Sequence, residues 1–449
     1  MSDESGGIVP PPELDRNPVG WLILGVCMAL MVMSELASYF SPNPSMALVR
    51  ARIQEQLQSD LVVSSVDRPR FERHLAEGVA TLRPKLDDSP ETQLLYAELR
   101  TEQGKPVLPS EIAALKSAKK ASERAAYQIY SSQALSRDQA RVLAAQMPAD
   151  EFLYKLAAVQ GYEKAGDKGP RAAMGANSRA ALAILGGSLV LLGFIGLALW
   201  WAFIWARANG YLKPKGFPMG NLSVRDADRV ALRCSQIFVA YLAIGLVGGL
   251  LVRGSGSLVL GETIIEFVAV GAVLLMSLAP ADGKMLSLRT LGISGEGFGR
   301  HALWGLAGAV ANIPILAVVQ TASLYLFRSL PTPEHPVTVE IGRTSSPLVL
   351  IELAIVAAIL APIIEEQMFR GTMFPALAAV FKSPVWAALA SSLIFGMIHP
   401  TGIPAWPGLA AIGCMSCFLA YQTKSLVPSI VMHGVHNLAT LAFTILALR

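Results

Sequence analysis

Nine apolar stretches, each close to the length that crosses a bilayer, constrain this chain more than any other feature. A hydrocarbon core about 30 Å thick takes roughly 20 apolar residues per spanning helix. Spans measured this way fall at Trp21–Phe40, Ala180–Trp205, Ser235–Val252, Leu258–Leu278, Ala302–Phe327, Pro347–Met373, Val385–His399, Gly408–Tyr421 and Val427–Leu448. The seventh and eighth are short and read equally well as half-spans buried in protein, so the expected count is eight or nine. Lipid offers no partner for backbone polar groups, and only helices or closed barrels satisfy them internally. Runs this long and continuously apolar belong to helices. The expected fold class is all-α, a polytopic membrane helix bundle.

Charge is distributed unevenly along the chain. Only 16% of the 449 residues are charged, and mean hydropathy is +0.47, against about a quarter charged in an ordinary soluble domain. Yet 19 Lys and Arg and 17 Asp and Glu fall between Ser41 and Ala176. That segment reads as a soluble insert, with apolar residues three or four apart in Phe71–Leu82, Leu94–Leu99, Ile112–Tyr130 and Phe152–Tyr162. Breaks fall at Asp87–Pro90, Gly104–Pro109, Met147–Ala149 and Gly166–Pro170. Leu94-Leu95-Tyr96-Ala97 and Phe152-Leu153-Tyr154-Lys155 are alike but fit no known repeat period. The expected organisation is a tail and first anchor over residues 1–40, a mainly helical insert over 41–176, further membrane helices over 177–345, and a chemistry-bearing domain over 346–449. The insert is either a plain helical domain or a docking platform for a protein partner or substrate.

The tail before the first span is acidic and has no small-residue cleavage site, so an uncleaved anchor is expected. Six Lys or Arg residues in the 207–233 loop and three more at Lys284, Arg289 and Arg300 put those two loops on the cytoplasmic side, and the insert outside. The setting expected is the lipid bilayer of a bacterial-type cytoplasmic membrane. A net charge of +4 without a basic stripe gives no nucleic-acid footprint. Cys27, Cys234, Cys414 and Cys417 lie in or beside apolar segments, which argues against a disulfide framework.

Charged residues inside a span are costly and are functional candidates. The sixth span holds Glu365-Glu366-Gln367-Met368-Phe369-Arg370. Glu366 and Arg370 are four apart and share a helix face; Glu365 is turned about 100° away. The seventh span ends Phe395-Gly396-Met397-Ile398-His399, and the ninth contains His433-Gly434-Val435-His436-Asn437. At 1.5 Å per residue, Glu365, His433 and Asn437 come to depths of roughly 13, 9 and 15 Å on one side of the bilayer, and His399 to roughly 21 Å, a gap that tilt or a late helix start would close. A glutamate and a histidine can hold and deprotonate a water that attacks an amide carbon. A His–Asn pair can donate to the oxyanion that results. Glu365, His399 and His433 would alternatively make a two-histidine, one-carboxylate zinc site, so zinc is the one cofactor these residues leave open. Both schemes hydrolyse a peptide bond.

These three motifs, Glu365-Glu366…Arg370, Phe395…His399 and His433…Asn437, on late membrane helices in that order, resemble the CAAX-protease and bacteriocin-processing family of intramembrane endopeptidases. The resemblance covers about Ser346–Leu446. It implies that Glu365 is the catalytic glutamate, that His399 works with it on the water, and that His433 and Asn437 bind the oxyanion. Glu366 and Arg370 would hold the site together, with His436 as the alternative to His433. The substrate would be a membrane-associated peptide or protein, and the long insert leaves its class open. Other membrane acids, Glu35, Glu262, Glu266 and Glu352, have no motif and are expected to pair or snorkel.

Rival readings lack their signatures. No His-Glu-x-x-His or phosphate-binding loop occurs, and Gly254-Ser255-Gly256-Ser257 reads as a turn. A transporter would show a repeat between halves, and none is visible. A non-catalytic scaffold or immunity-type protein would have shed a motif residue, and all are present.

Overall fold

A computed structural model of the chain describes residues 17–39, 46–63, 68–149, 151–252, 258–278, 292, 293, 295–327, 330, 341, 346–399 and 401–448. In chain order its main helices are α1 (Val19–Tyr39), α2 (Met46–Val63), α3 (Arg68–Leu82), α4 (Pro90–Glu102), α5 (Ala121–Ser131), α6 (Arg137–Ala144), α7 (Phe152–Lys164), α8 (Gly169–Ala208), α9 (Val224–Val252), α10 (Leu258–Leu278) and α11 (Phe298–Leu326). There follow α12 (Pro347–Phe381), α13 (Pro384–Met397), α14 (Trp406–Thr423) and α15 (Val427–Leu448). No strand occurs among the described residues. The protein is an all-α, polytopic helical membrane protein. Gly254–Ser257 and most of the second basic loop lie outside the described residues, as do the side chains of Glu35 and Glu262.

Five described helices are long and apolar enough to cross a bilayer: Gly186–Ala208, Val224–Gly248, Phe298–Leu326, Pro347–Phe381 and Ile403–Thr423. Val19–Met33, Ile264–Ser277 and Pro384–Met397 are shorter apolar helices. The eighth stretch is therefore a full-length helix, not a half-span, because Ile403–Ala405 extends it at its start. Large apolar side chains such as Phe194, Trp201, Leu246 and Leu275 are two-thirds exposed. A surface so apolar belongs against lipid tails rather than water.

The chain forms two compact units, Met1–Phe40, Leu192–Pro333 and Ile351–Leu438 in one, and Ser41–Leu191, Glu334–Leu350 and Ala439–Arg449 in the other. In the first, α13 packs along α14, α14 along α11, and α9 along α10 and α1. Asp228 on α9 fixes the start of α1 by accepting from Trp21 Nε1 at 2.9 Å and the Asn17 amide at 3.2 Å.

The second unit holds the helices of the insert. Ser89 caps α4, and Ser136 with Gln139 forms a capping box on α6. The two look-alike pieces pack into common cores: Leu95 and Tyr96 with Phe152 and Leu156, Leu94 and Ala97 with Tyr154 and Ala157. The expected helix over Ile112–Tyr130 is instead broken between Lys116 and Ala121. Helices α2 and α6 escape the periodicity reading, the first for want of a clear apolar stripe and the second for shortness.

The sixth span runs longer than the sequence suggested, continuing past Phe374 to Phe381. Its two prolines explain how. A proline lacks the N–H for the i−4 carbonyl and crowds it. Here Pro362 follows a π-helical stretch, Val356–Leu360, and Pro375 follows another, Gln367–Met373. Each wide turn shifts the pairing before the proline arrives, so the helix continues through both. Lys382, in the left-handed region at φ 54°, ends it, and Ser383 caps α13.

Candidate active site

The six-residue α-helical stretch Ala361–Glu366, held between the two π-turns, presents both glutamates. Glu366 is fully buried. Its Oε1 accepts from Arg370 Nη1 at 3.1 Å, from Ser416 Oγ at 3.2 Å and from His433 Nδ1 at 3.0 Å. Three helices, α12, α14 and α15, therefore meet on one carboxylate oxygen. Arg370 is also fully buried, and its guanidinium stands 4.4 Å above the Phe395 ring. That desolvated cation–π contact brings α13 into the assembly.

Glu365 faces elsewhere, with its side chain 25% exposed. Its Oε2 lies 3.6 Å from His433 Nε2 and 3.8 Å from His399 Nε2. The far side of each imidazole is anchored: His399 Nδ1 donates to the Phe395 carbonyl at 2.6 Å, and His433 Nδ1 to Glu366. These bonds leave Nε2 of each ring turned toward Glu365. Two imidazole nitrogens and a carboxylate oxygen thus converge without touching, and joining them needs a bridging group. A water molecule meets that need, and a contact beyond 3.5 Å is the spacing at which one commonly intervenes.

The Phe395 ring also packs edge-on against His399 at 4.5 Å, His433 at 5.6 Å and Phe369 at 5.2 Å. It is the common wall of the site. Asn437 donates Nδ2 to the Ala357 carbonyl at 2.8 Å, within the first π-turn. One of its two N–H groups therefore joins α15 to α12. His436 is partly exposed one turn along from the glutamate-facing His433.

The structure thus gathers Glu365, Glu366, Arg370, Phe395, His399 and His433 in one cluster. Asn437 reaches the neighbouring turn of α12. Ser416, silent in the sequence, completes the grip on Glu366. It lies within the Cys414-Met-Ser-Cys417 stretch, and all four cysteines are free thiols. Cys417 touches Ser392 Oγ at 3.8 Å as a packing residue. Glu266 accepts from Tyr241 at 3.4 Å, in keeping with a paired membrane acid.

Among the described residues no three His, Cys, Asp or Glu side chains close around one point as metal ligands would. Glu365, His399 and His433 share one carboxylate oxygen as their meeting point without forming such a set.

No curated protein and no solved structure matches the chain. One family model does match, over residues 347–439, about a fifth of the length. Those residues carry every side chain of the cluster, and their match is to the Rce1-like family, described as type II CAAX prenyl endopeptidase, so the segment holding the paired glutamates and histidines is similar to a family of membrane proteases.

Proposed function

We propose that the chain is an intramembrane endopeptidase that cleaves a membrane-associated peptide or protein, using a water activated by Glu365 and His399. The observation that carries this reading is the convergence of Glu365 Oε2 with His399 Nε2 and His433 Nε2 at 3.6–3.8 Å. A water held there has a base on one side and two anchored imidazoles on the other. Glu365 takes its proton while the water oxygen bonds to the substrate's carbonyl carbon. The oxyanion that forms is met by the second N–H of Asn437, and by His433 when its Nε2 carries a proton while Nδ1 stays on Glu366. Glu365 then returns the proton to the peptide nitrogen as the C–N bond breaks, yielding an amine and a carboxylic acid, whose proton passes to the amine to leave a carboxylate and an ammonium. Glu366 and Arg370 keep the opposing edge of His433 fixed throughout. Burial among apolar side chains strengthens each of these electrostatic contacts.

The test compares peptide termini, by mass spectrometry, from membranes and medium of cells carrying the wild-type chain, the Glu365→Ala form or neither. Termini that appear only with wild type, while the variant accumulates equally, support the proposal and name the substrates. Identical sets in all three cells, with a wild-type phenotype still present, would replace it with a membrane-embedded binding protein.

A further inference from the structure

The π-turn beside the glutamates carries more buried polar atoms than its protein neighbours satisfy. Gln367 is fully buried, and neither atom of its amide has a hydrogen-bond partner among the described residues. The same is true of Arg370 Nε and Nη2, one turn on. Burying an amide or guanidinium N–H without a partner costs about 1–3 kcal/mol or more per group, and protein interiors meet such groups with ordered water. Four such atoms within one turn are more than packing alone would retain.

Two glycines let these polar groups pack directly against backbone. A Cβ on Gly371 would lie 2.8 Å from Gln367 Nε2, and one on Gly413 would lie 2.9 Å from Arg370 Nη2. From Arg370 the polar groups run on toward the site. Arg370 Nη1 bonds Glu366 Oε1, which His433 shares, and His433 faces Glu365 Oε2, itself buried and without a hydrogen bond.

We propose that Gln367 and Arg370 hold a group of internal water molecules continuous with the water at Glu365, a store from which the site draws its hydrolytic water inside the membrane. Gln367 is then a positioning residue for water, and the last clause rests on the peptidase reading above.

The store is testable without a substrate, by hydroxyl-radical footprinting of the full chain in detergent, with the oxygen of water supplied as the heavy isotope. Met368, Phe369 and Met373 are 3%, 1% and 1% exposed. If waters lie against them, they take up label far faster than Phe71, which is 3% exposed in the core of the insert. Gln367→Leu should cut that labelling severalfold, whereas Glu365→Ala should keep it; Gln367→Met serves if the leucine form does not accumulate. Labelling of Met368 and Phe369 no faster than Phe71 would overturn the proposal. So would a Gln367→Leu form that loses the label yet cleaves at the wild-type rate. Retained labelling in a chain that cleaves nothing would leave the water site standing and remove the peptidase reading instead.

Discussion

His433 Nε2 and Glu365 Oε2 lie 3.6 Å apart, while the other nitrogen of the same ring is bound to Glu366 at 3.0 Å. One imidazole therefore separates two glutamates that are neighbours in the chain and gives them different surroundings. Glu366 is closed off by three donors, and Glu365 keeps an exposed edge with no hydrogen bond to lose.

That difference separates the effects of two isosteric changes. Glu365→Gln should abolish cleavage, a loss of about 10²–10⁴-fold for removal of a general base, while thermal unfolding in detergent stays at the wild-type temperature. A Glu365→Gln chain that unfolds early would place Glu365 in the packing rather than the chemistry.

Glu366→Gln should instead destabilise. It leaves Arg370 charged, fully buried and without its anion, a change that costs about 3–5 kcal/mol. The paired change Glu366→Leu with Arg370→Leu removes both charges and should unfold closer to wild type than either single variant. Additive losses in that cycle would show that the pair does not act as a unit.

Phe395→Leu should lower stability by about 2 kcal/mol through loss of the Arg370 contact alone, and by more once the packing against His399 and His433 is counted. Phe395→Tyr keeps the ring face and should retain most of the stability. Equal losses in the two variants, read as unfolding temperatures, would rule out the guanidinium–ring contact as the cause.

Much of this arrangement was legible in the sequence because membrane burial makes each polar residue conspicuous. Glu365, Glu366, Arg370, His399 and His433 stand out of apolar runs, and their spacing gives their faces. The boundaries of α10 and α15 follow from hydropathy alone. Ser416 did not stand out, since serine is common in membrane helices and its partner lies 50 residues away. The π-turns were equally hidden. Only the three-dimensional pairing shows the wide turns that carry the helix through Pro362 and Pro375. The anchoring of Asn437 on Ala357 depends on one of those turns and could not have been read from a His-x-x-x-Asn spacing.

The insert has a pH dependence of its own. Glu98 on α4 is fully buried with neither carboxyl oxygen hydrogen-bonded among the described residues. Burial, aided by the nearby Glu102, pushes its carboxyl well above the usual range, with Arg171 opposing. A carboxyl raised in the folded state favours the protonated form there. Its contribution to stability is fully present below the unfolded value near 4.5 and is lost as pH rises through the folded value. Hydrogen exchange across Pro90–Glu102 should therefore quicken as pH rises above that unfolded value, after correction for intrinsic exchange. Glu98→Gln should flatten the trend. An unchanged trend in that variant would assign the dependence to another group.

Metal removal provides the last check. The histidine nitrogens meet at Glu365, and the proposed chemistry uses only the carboxylate, the imidazoles and water. Purified chain treated with a strong chelator should keep its cleavage rate and carry less than one metal ion per chain by elemental analysis. Loss of activity that zinc restores, absent in His399→Ala and His433→Ala chains, would make Glu365, His399 and His433 metal ligands. Glu365 would then act by holding the ion that polarises the water rather than by taking its proton. The elemental analysis settles which description applies before any kinetic measurement on Glu365→Gln is interpreted.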